Sequence, residues 1–179
     1  NTGFETVGSW VTDQTARTTS QAYAGSWSMG STPGVDGAFY QTVAFPADAI
    51  SSTLTFQLKN DPPDVIGSTC FDYLQVVVWD ETFSNDLGSS PAICFETNVW
   101  GTVTLDFSAI LDSLKGKNIN LVFYAVQDSI LEHAIFYVDE TYWNVETPGG
   151  DPTPVPTATT PPPPGGEDLR VMLAWTDYP

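Results

Sequence analysis

His133 is the only histidine in the 179 residues, so acid–base chemistry at neutral pH would run through it or through carboxylates alone. Serine is abundant, but no G-x-S-x-G elbow and no ordered Ser/His/Asp arrangement accompanies it. With 22 Asp and Glu residues, a carboxylate pair for glycoside hydrolysis can be drawn almost anywhere, which makes any one pair uninformative. A lone His at the start of the strand-like stretch "AIFYVDE" reads as a surface or turn residue rather than a base. The chain is therefore expected not to be an enzyme.

Other residue types can still bind. Cys70 and Cys94 lie in neighbouring strand-like stretches, and in an exported chain they form one disulfide; two buried free thiols are the alternative. No CxxC or Cys/His spacing suggests zinc. Trp10, Trp27, Trp79, Trp100, Trp143 and Trp175 include candidates for a flat sugar-stacking platform, although most tryptophans in a β protein belong to its core. Trp79 is the expected exposed one, because it closes a strand beside the loop "DETFSNDLGSSP".

Charge narrows the partners. Five Lys+Arg against 22 Asp+Glu give a formal charge of −17. Such a surface repels nucleic acid and anionic membranes and attracts divalent cations, of which Ca²⁺ prefers oxygen ligands. Solubility alone accounts for most of the carboxylates. No apolar run approaches the roughly 18 residues of a membrane-spanning helix. No signal peptide is visible, and cleavage just before Asn1 would have removed one. A secreted or cell-surface protein is expected.

The elements that position these residues read almost entirely as strand and turn. Leu54, Phe56 and Leu58 alternate with Thr53, Thr55, Gln57 and Lys59, the pattern of a half-buried strand. "CFDYLQVVVWD" is apolar on both faces near its centre, as a middle strand would be. "AICFETN", "GTVTLDF", "NINLVFYAV" and "AIFYVDETYWNV" follow, divided by turn residues. One helix is expected in "SAILDSLKGK", capped by Ser108, with Ile110, Leu111 and Leu114 on one face and Gly116 ending it. The fold class is all-β, a β-sandwich over residues 1–146.

Residues 147–167, "TPGGDPTPVPTATTPPPPGGE", cannot build a core and read as an extended linker. At about 3.1 Å per residue it spans roughly 60 Å, against a radius of gyration of about 15 Å for the preceding domain. Residues 168–179 then read as a single strand, with Leu169, Val171, Leu173 and Trp175 on one face. A lone strand must pair with something, and the linker lets it reach another copy of the chain by β-strand addition. That geometry implies head-to-tail homo-oligomers, as a ring or filament.

"NTGFETVGSW", "AYAGSWSM" and "FYVDETYW" together resemble secreted jelly-roll modules of the carbohydrate-binding, MAM-like and galactose-binding-like type. The resemblance implies a jelly roll and a structural Ca²⁺ held by Glu5, the carbonyl of Ser26, and Asp139. The closing motif of such modules has two Asp residues; here the second is Glu140, which stays outside the implied ligand set. "LRVMLAWTDYP" resembles the opening strand of the β-domain that follows the catalytic domain in some bacterial subtilisin-like proteases, whose catalytic motifs are absent here. Three functions follow. The first expectation is an extracellular assembly subunit that donates its last strand to a neighbour. The alternative is a carbohydrate-binding accessory module with a polysaccharide partner, and the third is a spacer domain of a larger protease.

Overall fold

The computed structural model describes residues 3–6, 9–63, 65–66, 69–128, 133–149 and 153–154. The strands are β1 (Val11–Asp13), β2 (Thr15–Thr18), β3 (Ser28–Ser31), β4 (Gly37–Ala44), β5 (Ser51–Asp61), β6 (Val65–Ile66), β7 (Thr69–Cys70), β8 (Tyr73–Asp80), β9 (Asp86–Ser89), β10 (Gly101–Asp106), β11 (Asn118–Val126), β12 (Ile135–Glu146) and β13 (Thr153–Pro154). One sheet has the order β1-β4-β11-β8-β9; the other runs β10-β5-β12-β3-β2, with β13 added to β12. Strands β6 and β7 form a small separate pair. All neighbours are antiparallel, and the whole is a jelly-roll β-sandwich.

Period-two alternation explains why these segments lie as they do. In β5, Leu54, Phe56 and Leu58 point into the core while Thr53, Thr55, Gln57 and Lys59 face out. In β8 and β11, Leu74, Val76, Val78, Ile119, Leu121, Phe123 and Ala125 belong to the core, yet Val77 and Val122 on the other face are buried as well. That second apolar row follows from their central place in the sheet, where neighbours on both sides shade the outer face.

The core is aromatic at its centre. Phe123 stacks on Phe39 with ring centroids 4.8 Å apart and planes 3° from parallel. Phe56 meets Phe123 edge-on at 5.0 Å, and Trp10 does so at 5.9 Å. Trp143 is also buried, its indole N–H donating to Ser52 Oγ at 2.7 Å, so the core contains no orphaned indole there.

The expected helix is real but short, a 3₁₀ turn (Ser108–Ile110) running into α1 (Leu111–Leu114). Ser108 does not cap it. Phe107 occupies the cap position, Asp106 accepts the Ser108 N–H, and Ser108 Oγ instead accepts the N–H of Ser52 on the neighbouring strand β5. Leu111 and Leu114 are buried as expected.

Cys70 and Cys94 form the disulfide, with Cα atoms 6.0 Å apart. It ties β7 to the segment beyond β9, where Ile93 bridges Leu74. Closing a loop of 24 residues removes unfolded-chain entropy worth about 3 kcal/mol. Within the segment expected to be linker, Thr153 and Pro154 pair with Val145 and Asn144 of β12. The expected assembly strand, Leu169, Val171, Leu173 and Trp175, lies outside the described residues, as does the stretch resembling a subtilisin-like protease domain.

Phe123→Ala should destabilise the domain by about 3–5 kcal/mol, because the cavity would open between both sheets where little can collapse into it. Urea unfolding checks this, and a loss below about 1 kcal/mol would mean that the aromatic stack is not central to the core.

Candidate functional site

The same alternation that buries Phe39 and Phe123 sends their neighbours to the outside of the five-stranded sheet. Pairing registers place Tyr40 beside Val122, Tyr124 beside Gln75, Val126 beside Tyr73, and Asn120 beside Trp79. Strand β1 adds Val11 beside Tyr40 and Asp13 beside Ala38. The outer face is thus an apolar floor of Val77, Val122 and Ala38, each under 10% exposed, bordered by Tyr40, Tyr73, Trp79 and Tyr124. All four border residues are half-buried. Aromatic rings around a shaded apolar floor combine apolar surface with hydroxyl and indole groups able to hydrogen-bond.

One end of this face is walled by the loop after β8. Phe83 meets the ring of Tyr40 edge-on at 4.9 Å, crossing β11 to do so. Asn120, 1% exposed, holds the loop in place. Its amide donates to the carbonyls of Asp80 at 2.9 Å and Glu81 at 3.2 Å, and its oxygen accepts from Thr42 Oγ1 at 2.6 Å. Asp80 organises the loop itself by accepting the N–H groups of Thr82 and Ser84 and the side chain of Asn85, which holds its carboxyl below the usual range.

Polar groups on the face are held in place. Gln75 donates to the carbonyl of Ser90 at 2.9 Å, and Tyr124 donates to Asp36 Oδ2 at 3.3 Å. Burial, followed by the Asp36 charge and then Tyr73 and Asp13, pushes the Tyr124 phenol far above its ordinary range; burial alone raises Tyr40. Both hydroxyls keep their protons at any physiological pH and serve as neutral donors.

Of the tryptophans singled out from sequence, Trp79 is on this face. Trp10 and Trp27 pack against the core, Trp27 beneath the Arg17 guanidinium at 4.1 Å. Trp143 is core, Trp100 meets Tyr23 edge-on at 5.9 Å away from this face, and Trp175 lies outside the described residues. Sequence reasoning missed Tyr40, Tyr73 and Tyr124. Their signal is the polar-side position of each Tyr in "GAFYQTVA", "YLQVVVWD" and "NINLVFYAV", which becomes legible only once the core-facing side is known.

The resemblance implies one Ca²⁺ held by Glu5, the Ser26 carbonyl and Asp139; in the structure Glu5 and Asp139 each accept backbone N–H groups of the loop between β2 and β3. A β-bulge in β12 between Asp139 and Tyr142, with Glu140 at φ +46°, aims Asp139 at that loop. Asp139 is 0% exposed and accepts the N–H groups of Tyr23 at 2.9 Å and Ala24 at 3.1 Å through one oxygen and that of Glu140 through the other. Glu5 Oε1 accepts from the N–H groups of Ser26 and Trp27, at 2.9 and 3.0 Å. Gly25, at φ +67°, is required between them, since a side chain there would collide with the Glu5 carboxylate. Arg17 reaches the carbonyls of Phe4 and Glu5, closing the first segment onto the sheet.

Burial raises the Asp139 carboxyl above its ordinary range, against the three amides that pull it down, and Glu140 raises it further. A folded-state pKa above the unfolded value means that ionised Asp139 opposes folding once the pH exceeds the folded pKa, and that this penalty vanishes below the unfolded pKa. A nearby cation would remove it. The all-oxygen donor set around this loop fits Ca²⁺ in type. The carboxylates are nevertheless turned to backbone amides rather than to one another. Among the described residues, the only three potential ligands whose donor atoms lie within 4.8 Å of each other are Asp72, Asp128 and His133.

No family model matches the chain, and no curated protein sequence matches it. Solved structures do. A family 61 carbohydrate-binding module in complex with β-1,4-galactotriose is 15% identical with a TM-score of 0.53, over 82% of this chain and 96% of that one. The family 22 xylan-binding domain of Paenibacillus barcinonensis is 16% identical with a TM-score of 0.53, over 80% and 90%. The C-terminal family 22 carbohydrate-binding module of a Clostridium thermocellum protein, whose cleft residues act in ligand binding, is 14% identical with a TM-score of 0.52, over 80% and 89%. The chain therefore has the jelly-roll β-sandwich fold found in carbohydrate-binding modules. Among the described residues no helix is long and apolar enough to cross a membrane.

Asn120→Ala should cost about 1–3 kcal/mol, because it leaves buried carbonyl partners unpaired. It should also free the Phe83 loop. Hydrogen exchange at Thr82 and Ser84 should accelerate in this variant, and unchanged exchange would show that Asn120 does not hold the loop.

Proposed function

We propose that the chain is a non-catalytic, exported carbohydrate-binding module that holds a neutral polysaccharide on the outer face of its five-stranded sheet. The observation carrying this reading is the ring of Tyr40, Tyr73, Trp79 and Tyr124 around a shaded apolar floor. Aromatic faces stack on the C–H faces of sugars, while the phenols and the Gln75 amide meet hydroxyls. The fold shared with carbohydrate-binding modules and the disulfide, typical of exported chains, support it. A formal charge of −17, with Asp13 and Asp36 at the end of the face, favours neutral glycans over uronates. The assembly expectation rests on residues 168–179 and gains no support from the described residues.

Binding to a panel of insoluble and soluble polysaccharides tests the reading. One or more neutral polymers should bind, acidic polymers should not, and Trp79→Ala or Tyr40→Ala should weaken binding by about tenfold, the equivalent of about 1.4 kcal/mol. Absence of binding across the panel, or full affinity in both variants, would retire the proposal.

Ca²⁺ at the Glu5–Asp139 tie, with the Ser26 carbonyl as a further ligand, is the accompanying structural proposal. EDTA should lower the melting temperature, since an ion bound only to the folded state stabilises it. Glu5→Ala should abolish that response, and identical melting curves with and without EDTA would count against the ion.

A further inference from the structure

We propose that Asp72, Asp128 and His133 form a binding site for a zinc-class divalent metal, separate from the Glu5–Asp139 tie and from the aromatic face. The antiparallel pairing of β8 with β11, which sets Tyr73 opposite Val126, brings the residue before β8 against the residues after β11. Asp72 lies just before β8, Asp128 just beyond β11, and His133 just before β12. Their donor atoms all lie within 4.8 Å of one another.

Three features point to a ligand rather than to a finished hydrogen-bond network. First, His133 Nδ1 is buried and has no hydrogen-bond partner, a costly state for a ring nitrogen. Second, it faces Asp72 Oδ2 at 3.8 Å, too far for a hydrogen bond and somewhat more than the roughly 3.4 Å between tetrahedral ligands about 2.1 Å from zinc. Third, Asp72 is rigidly placed: its side chain is 0% exposed, and its two oxygens each accept one N–H, from Asp128 and Ala134, both at 2.7 Å. Each carboxylate oxygen so engaged still has a lone pair to give.

The imidazole is aimed by its surroundings. Gly34, at φ +74°, lies against the Cδ2–Nε2 side of the ring, where an added side chain would sit 3.1 Å from Cδ2. Gly34 itself is anchored by its N–H to Gln127 Oε1 at 2.9 Å. The ring edge bearing Nδ1 is thereby turned towards Asp72. One imidazole and two carboxylates suit Zn²⁺ better than Ca²⁺, which prefers six or more oxygens. A fourth position would go to water. The sequence carries no zinc signature because its ligands stand 56 and 61 positions from Asp72 and meet only through sheet pairing.

The full chain, stripped with chelator, should take up one equivalent of Zn²⁺ by calorimetry and give a visible Co²⁺ spectrum. Being the only histidine, His133 should show one set of imidazole C–H resonances that shifts on Zn²⁺ addition and not on Ca²⁺ addition. His133→Gln and Asp128→Asn should each weaken Zn²⁺ binding by at least the roughly 10–100-fold seen for outer-shell changes, while Glu5→Gln leaves it unchanged. Asp72 is left intact in these tests because it holds two loop amides. Failure to bind Zn²⁺, unmoved imidazole resonances, or equal affinity in both variants would overturn the site.

Discussion

Strand β11 constrains everything else in this domain. It is the middle strand of the five-stranded sheet, and its inward residues Ile119, Leu121, Phe123 and Ala125 supply the centre of the core. Phe123 is gripped by Phe39, Phe56 and Trp10. Because side chains in a strand alternate, fixing that inner row leaves no freedom for the outer one. Asn120, Val122 and Tyr124 must then stand on the outer face, with Tyr40 and Trp79 beside them on the neighbouring strands. The candidate binding face is the reverse side of the core.

A second regularity concerns the buried polar groups. Asp139, Asp72, Asn120 and Asn60 are all essentially inaccessible, and each clamps backbone groups of a loop distant in sequence. Asp139 holds residues 23–24, Asp72 holds Asp128 and Ala134, Asn120 holds the Phe83 loop, and Asn60 exchanges two hydrogen bonds with Phe95. A buried carboxylate or amide is expensive unless satisfied, so such a residue accepts only one loop position. A jelly roll with long connections obtains fixed loops this way, and its candidate sites border them.

Much of this was legible in advance where local chemistry is decisive. Alternation in "TLTFQLK" and the apolar run in "YLQVVVW" marked β5 and a central β8, and both lie where that reading put them. The Cys70–Cys94 pairing followed from residue count and context. Ser108 was misjudged as a cap, because its hydroxyl serves a strand 56 residues away and propensity cannot foresee that partner. Trp79, expected to be exposed at its strand end, lies half-buried on the outer face, and the sequence pattern does not single out the tyrosines around it. A tyrosine on an alternating strand fits either face, and only the opposing sheet decides which.

The sequence by itself determined an all-β sandwich, its strand-facing pattern, one disulfide and an acidic surface. These depend on period-two alternation, composition and the order of short motifs, which are properties of nearest neighbours along the chain. Tertiary structure alone decided that Tyr40, Tyr73, Trp79 and Tyr124 share one face, and that Asp72, Asp128 and His133 share one corner. Those juxtapositions join strands far apart in sequence through antiparallel register. Register is set by how two whole sheets bury their inner faces together, which no single stretch of residues records.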